Sequence, residues 1–308
     1  NNDSEAFINH YFDNVFSPKN TFVVTNNGKI GTSGQLNPYS FVFNENKVDT
    51  KYIIGLSSFP ENRGDGSIRK FFNYIFKDFY DSGTPFTFLM AADYGLYRPY
   101  GFAHVMDKHL LTGKTKSLYQ KTTKDFEMIP FSKNSSFEFI EEITNYYNST
   151  VKTNYSDYVL RTTENFKNNL GELEADNGYA IILKKNDKVF GYLFYYFDKN
   201  KITIKEMLYD DDIVLKEILK FIYNHNTQFT DFEIRDDFPK STSLFIPNPR
   251  EINWEIMPFL MARVINLKNF ISLSDLPQKI NFDIRLKIID KNIEGNNCIC
   301  DIKSNEIH

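Results

Sequence analysis

Tryptophan occurs once, cysteine twice and histidine five times among 308 residues, and each scarcity closes off a class of function. The two thiols, Cys298 and Cys300, stand one residue apart, a spacing at which a bridge would be badly strained. Four-ligand zinc spacing is absent. Free thiols and a reducing compartment, hence a cytoplasmic location, are expected. His10, His104, His109 and His225 are scattered, and none pairs with a cysteine or with a second histidine at i+4, so no metal is expected. Long apolar runs are missing too: none approaches the ~18–20 residues that span a bilayer. Cationic excess is also missing, with 36 Lys and Arg against 40 Asp and Glu and a formal charge of −4. A dedicated nucleic-acid binder draws its affinity from Lys and Arg on phosphates, so that class is disfavoured. The chain opens on Asn1-Asn2-Asp3, with neither Met nor a signal peptide. It is therefore expected to begin inside a protein, with an amino-terminal piece ahead of it.

What the chain has in quantity is aromatic: 30 Phe and 19 Tyr. Together with many Lys, Asn and Ile, this excess reads as an AT-rich coding bias. Hydrophobic residues at 41% and charged residues at 25% are ordinary for globular proteins, and the length suits two domains with a fragment of a third. Ser4 reads as the N-cap of a helix carrying Phe7, Ile8, Tyr11, Phe12 and Val15. Asn26-Asn27-Gly28 marks a hairpin, and Lys51 to Phe59 a third strand. Ile68, Phe71, Phe72, Ile75, Phe76 and Phe79 recur at helical spacing, ended by Gly83. Phe86 to Met90 is a short strand, followed by a tyrosine-rich loop.

A polar stretch from Leu111 to Lys124 suggests a boundary. Beyond it come β structure at Phe126 to Phe131, a helix capped by Ser136, and a second helix over Ser156 to Asn168. Strands at Gly178–Lys184, Val189–Phe197 and Ile202–Leu208 precede a helix from Asp211 to Asn224 and a strand from Phe229 to Ile234. The two halves thus repeat one order of elements without obvious sequence identity. Beyond Ile256 an apolar helical stretch is expected, then β-like runs at Ile280–Ile289 and Cys298–Ile302.

Arg63-Gly64-Asp65-Gly66-Ser67 lies between a strand and a helix. Glycines let a ligand approach the backbone, and free N–H groups at a helix start attract anions. A tight strand–helix turn is the plainer reading. No Gly-Lys-Ser or Gly-Lys-Thr follows, so this is not a P-loop, and the dinucleotide pattern G-x-G-x-x-G is incomplete.

With its Arg-x-x-Gly order, the segment resembles the acetyl-coenzyme-A loop of the GNAT N-acetyltransferases. Ile68 and Arg69 in place of the usual final small residue are similar to the branch named for enhanced intracellular survival (Eis). Tyr97-Arg98-Pro99-Tyr100-Gly101-Phe102 resembles that branch's Tyr-x-x-Phe/Tyr-Gly-Tyr/Phe element. Met261-Ala262-Arg263-Val264 is similar to the stretch leading from its second GNAT-like domain into a sterol-carrier-like domain. The resemblance implies an α+β fold, an α/β sandwich of two tandem GNAT-like domains, each a mixed, mostly antiparallel sheet flanked by helices. It places the acetyl-coenzyme-A domain at 1–120, a second GNAT-like domain without cofactor at 121–268, and a partial sterol-carrier-like segment at 269–308.

Residue by residue, the resemblance implies that Leu56, Ser57 and Ser58 pair their backbone with the pantetheine arm. Backbone groups of Gly64, Asp65, Gly66, Ser67 and Ile68 would hold the pyrophosphate, with Arg63 as a charge-assisted donor. Ala92 and Asp93 would flank the thioester. Tyr97 falls on the general acid; a phenol of pKa about 10 can protonate a departing thiolate, although an aromatic packed in the core is the alternative. The family's general base is the terminal carboxylate, here that of His308, with Glu127 or Asp93 acting through a water as internal alternatives. In the second half, Asp210-Asp211-Asp212 replaces the Gly loop. These carboxylates suit a helix cap and would repel a pyrophosphate.

The leading expectation is an acetyl-coenzyme-A-dependent N-acetyltransferase acting on a primary amine: a polyamine, an aminoglycoside or a lysine side chain. A catalytically weak coenzyme-A-binding or assembly protein is the alternative from another class. The resemblance also suggests a homo-oligomer.

Overall fold

The computed structural model describes residues 4–26, 28–62, 64–121, 125–236, 239–274, 283–303 and 306–307. The Ser4 hydroxyl accepts the Phe7 N–H at 3.0 Å and caps α1 (Glu5–His10), which continues as one wider π turn, Tyr11–Val15. β1 (Thr21–Asn26) and β2 (Lys29–Phe43) form the expected hairpin. β3 (Asn46–Ser58) starts earlier than the sequence pattern suggests. Asn44 and Glu45 make a tight turn, with φ of 45° and 63°, without the glycine that usually marks one. α2 (Ser67–Asp81) follows, burying Phe71, Phe72, Ile75, Phe76 and Phe79 along one face.

Next come β4 (Phe86–Leu89), α3 (Tyr94–Tyr97) and β5 (Ala103–Lys114). The polar stretch that suggests a boundary begins inside β5, which runs on through Lys114 because its backbone pairs with a neighbouring strand. Then follow β6 (Glu127–Phe131), α4 (Phe137–Asn154), β7 (Tyr158–Leu160) and α5 (Thr163–Ala175). The helix expected at 156–168 is displaced: Tyr158–Leu160 pairs with β2, and a capping box of Thr162 and Asn165 starts α5. β8 (Gly178–Lys185), β9 (Lys188–Asp198), β10 (Lys201–Tyr209), α6 (Asp212–Asn224) and β11 (Asp231–Asp236) agree with the expected order. α7 (Pro239–Leu244) and β12 (Ile252–Val264) come next. The segment just beyond Ile256 is therefore strand through Val264, and the apolar helix expected beyond it begins only at Leu267. α8 (Leu267–Leu273), β13 (Ile284–Ile288), β14 (Cys298–Lys303) and β15 (Glu306–Ile307) complete the chain.

Two compact units emerge, each assembled from separated stretches of the chain. The Gly-loop unit comprises Phe16–Met106, Tyr155–Leu160 and Phe259–His308. Its sheet runs β1-β2-β3-β4-β12, with β7 on β2, and β13-β14-β15 form a small separate sheet. The inner face of α2 packs on this sheet through Leu36, Ile53, Leu89, Phe102 and Met261. Each such buried side chain contributes about 1.5–3 kcal/mol.

The triple-Asp unit comprises Asn1–Val15, Asp107–Asn154 and Arg161–Pro258. Its sheet runs β5-β11-β10-β9-β8-β6; β10 and β11 are parallel and the other pairs antiparallel. α6 buries Val214, Leu215, Ile218, Leu219 and Ile222 against one face. Toward α4 and α5 lie Tyr192 and Phe194, packed on Phe166. Arg161 joins them, its Nη1 and Nη2 donating to the two Glu206 oxygens at 2.6 and 2.8 Å. Both units are thus mixed, mostly antiparallel sheets flanked by helices.

Candidate active site

Sheet register creates an opening in the Gly-loop unit. β3 and β4 run parallel, but they pair only at Tyr52 with Phe88 and at Ile53 with Leu89. β4 then ends, while β3 continues to Ser58 along β2, past a bulge between Ser33 and Gln35. The β4-side edge of β3 therefore leaves the ladder over the stretch where Leu56, Ser57 and Ser58 lie. The Ser58 hydroxyl meets that of Thr32 at 2.6 Å, and the Ser57 hydroxyl meets that of Ser33 at 3.3 Å. Both side chains are engaged with β2, so what these residues offer a ligand is backbone.

The chain leaves β3 through Pro60 and reaches the glycine loop. Gly64 and Gly66 both have φ of 85°, a conformation that side-chain-bearing residues reach only with strain. A Cβ at either position would meet nothing within 4 Å. The glycines are therefore set by backbone shape, with open space outside them. Gly66 caps α2 without a side-chain acceptor, and the Lys70 N–H closes the first turn onto the Gly66 carbonyl at 3.0 Å. The Ser67 N–H is taken internally by Asp65 Oδ1 at 2.7 Å. The N–H groups of Ile68 and Arg69, second and third in the helix, have no acceptor inside it and carry the positive end of its dipole. This cradle fits an anion such as a pyrophosphate. Arg63 lies outside the described residues.

Leu56, Ile68 and Tyr97 all pack against the core cluster of Phe71, Phe72, Leu89 and Phe102, so the fold brings the strand edge, the loop and the tyrosine element together. Tyr97 ends α3, half-buried, its ring edge-on to Phe72 and Phe102. Burial, and secondarily the charge of Asp93, push its phenol above the ordinary value. Among the described residues no group hydrogen-bonds its hydroxyl, so the proton is held and undirected. Asp93 is exposed and caps α3 by accepting the Gly95 N–H at 2.7 Å; Ala92 beside it is exposed too. Glu127 is exposed on β6 of the triple-Asp unit. His308 lies outside the described residues. His104 is exposed, bonded through Nε2 to the Met106 carbonyl at 3.0 Å.

Two elements at the site had no signal in sequence spacing. Asn26, at the end of β1, reaches the glycine loop: its Nδ2 donates to Asp65 Oδ2 at 2.7 Å and to Ser67 Oγ at 3.1 Å. Gly101 of the tyrosine element lies against Arg263, whose guanidinium stands over the Phe76 ring and donates to both oxygens of Asp290 at 2.6 Å. Asn296 adds a bond to Asp290 at 2.9 Å, and the N–H groups of Asn292 and Ile293 add two more. Beside this joint lies a cleft of about 440 Å³ lined by Arg98, Gly101, Ile288 and Lys291.

The corresponding strand–helix junction of the triple-Asp unit is built differently. Asp211 caps α6, accepting the Ile213 and Val214 N–H groups at 2.8 and 3.0 Å. Asp210 accepts the Tyr146 hydroxyl at 2.8 Å. Its helix start is thus occupied by the chain's own carboxylate. Among the described residues no three His, Cys, Asp or Glu side chains converge as metal ligands, and no helix is long and apolar enough to cross a membrane.

Residues 1–105 and 158–264 each match a family model described as an acetyltransferase (GNAT) domain. No curated protein matches the sequence. Among solved structures, the chain is similar to a conserved protein of unknown function from Enterococcus faecalis V583, described as a probable N-acyltransferase. The TM-score is 0.82 at 19% identity, over 98% of this chain and 76% of that one. A GCN5-related N-acetyltransferase from Anabaena variabilis aligns with TM-score 0.76 at 16% identity, over 100% and 78%. Eis1 from Mycobacterium abscessus aligns with TM-score 0.74 at 11% identity, over 98% and 81%. At these identities the likeness is one of fold.

Proposed function

We propose, from the premise that this chain carries two GNAT acetyltransferase domains, that it is an acetyl-coenzyme-A-dependent N-acetyltransferase whose cofactor site is the cleft of the Gly-loop unit. The observation that carries this reading is the parting of β3 from β4 beyond Ile53 and Leu89, immediately before a glycine loop with open helix N–H groups. The backbone of Leu56, Ser57 and Ser58 would hold the pantetheine arm. The N–H groups of Gly66, Ile68 and neighbours, with Arg63, would hold the pyrophosphate.

Acetyl-coenzyme A supplies an acetyl group activated as a thioester. A primary amine attacks that carbonyl directly, forming the amide C–N bond as the C–S bond breaks. Tyr97 donates its phenolic proton to the departing sulfur, and its raised pKa keeps that proton available at neutral pH. The ammonium proton goes to a base, for which the α-carboxylate of His308 is the candidate. Ala92 and Asp93 flank the acyl end. The triple-Asp unit serves as a GNAT-like partner domain without cofactor. An Eis-type arrangement with residues 269–308 as a partial sterol-carrier-like segment, a cytoplasmic location and a homo-oligomer belong to the same proposal, on the sequence resemblance and the free thiols given above.

Thiol release from acetyl-coenzyme A, followed with polyamines, aminoglycosides and lysine peptides, tests the reading. Amine-dependent release is expected for at least one class. Binding of coenzyme A without release for any amine would replace it with a binding role.

A further inference from the structure

We propose that Asn26 is a positioning residue for the glycine loop: by holding the Asp65 carboxylate and the Ser67 hydroxyl, it keeps the chain's own anion off the N–H groups that receive the cofactor's phosphates. This rests on the cofactor site assigned above. Asp65 places a negative charge at the start of α2, where the helix dipole attracts anions. An internal carboxylate and an external phosphate compete for the same donors, and the side chain that fixes the carboxylate decides between them.

Asp65 Oδ1 takes the Ser67 N–H at 2.7 Å, and Oδ2 accepts the Ser67 hydroxyl at 2.8 Å. Oδ2 also accepts Asn26 Nδ2 at 2.7 Å, and the same amide nitrogen bonds Ser67 Oγ at 3.1 Å. Asn26, Asp65 and Ser67 therefore form a closed triangle. Ser67 is only 1% exposed. A Cβ at Gly31 would lie 3.4 Å from both Asn26 Nδ2 and Ser67 Oγ, so the backbone of β2 covers the triangle from one side. The amide draws Oδ2 of Asp65 toward the end of β1 while Oδ1 takes the first N–H of α2. Ile68 and Arg69 keep theirs open. Without the amide, Oδ2 loses one of its donors, and the hold on the carboxylate weakens against the pull of those two groups.

Coenzyme-A titration calorimetry on the whole chain tests this, with melting temperature as the check on folding. Asn26→Ala is expected to weaken affinity about tenfold, the equivalent of one charge-assisted hydrogen bond. Asn26→Asp should weaken it further, because two carboxylates then face each other. Asn26→Asp combined with Asp65→Asn exchanges donor and acceptor at constant charge, and should return affinity to within about threefold of the wild type. That rescue is what a merely structural role would not produce. Wild-type affinity in Asn26→Ala, or a double variant as weak as Asn26→Asp, overturns the proposal. A wild-type chain that binds no coenzyme A overturns the cofactor site itself and this proposal with it.

Discussion

The guanidinium of Arg263 fills the space that a side chain at Gly101 would need: a Cβ built there lies 2.7 Å from its Cζ and Nη1. Two segments far apart in the chain, the tyrosine element and the end of β12, are thereby locked at one point. The Asp290 carboxylate holds Arg263 in place from the other side.

Gly101→Ala should be costly for two reasons. Its φ of 84° is strained for alanine, and the new methyl must displace a guanidinium held by an ion pair. A loss of about 2 kcal/mol or more is expected in chemical denaturation. Stability within about 0.5 kcal/mol of wild type would contradict the packing described.

Asp290 gives the same joint a pH dependence. Burial alone would raise its pKa, but the bonds from Asn296, the Asn292 N–H and the Arg263 guanidinium outweigh burial and hold the carboxyl below its ordinary value of 3.8. The folded state then binds fewer protons than the unfolded state in this range. The stabilisation is fully present above the unfolded value and is lost as pH falls through the folded one. Denaturation between pH 6 and pH 2 should show Asp290→Asn less stable than wild type at the upper end, with the difference narrowing at the lower end. A constant difference would remove Asp290 from the account.

Gly66→Glu separates the ligand's space from the protein's. Within the chain, a Cβ at position 66 meets nothing, so the variant should fold with only the strain of its positive φ, about 1 kcal/mol. Coenzyme-A affinity should fall at least about a hundredfold, because a carboxylate then competes for the helix start. Calorimetry showing unchanged affinity in the folded variant would remove the loop as the phosphate site.

Tyr97→Phe keeps the ring against Phe72 and Phe102 and removes one proton donor. If the hydroxyl protonates the leaving sulfur, kcat should fall roughly 10²–10⁴-fold with coenzyme-A affinity nearly unchanged. Turnover within about twofold would make Tyr97 a core aromatic.

The legible parts of this fold were those with local signals. The Phe and Ile spacing of α2, the Ser4 cap and the Asn-Gly hairpin state their structure in neighbouring residues. So did the candidate cleft, whose strand, glycine loop and tyrosine element follow one another in the chain. β12 was not legible because Ile256–Val264 carries Pro258 in its midst and lacks a two-residue alternation; pairing with β4 makes it a strand. The end of β5 was hidden by polar residues whose backbone pairs with β11. Asn26 and Asp65 are 39 positions apart, and no spacing rule links a hairpin amide to a loop carboxylate.

The pairing of β4 with β12 has a consequence for synthesis. β4 has only two register pairs with β3, and its other edge is completed at Phe86 by Val264 and at Leu89 by Met261. As the chain leaves the ribosome, the glycine loop and α2 appear early, but the strand that closes the sheet beneath them arrives only after the whole triple-Asp segment has been translated. The nascent Gly-loop unit must therefore wait with one edge of β4 unpaired and with Met261 and Ile265 missing from the core under α2, the state in which chains depend on chaperones and are lost to aggregation. Ribosomes arrested before Phe259 should carry this unit in a protease-sensitive form, and ribosomes arrested well beyond Val264 in a resistant one.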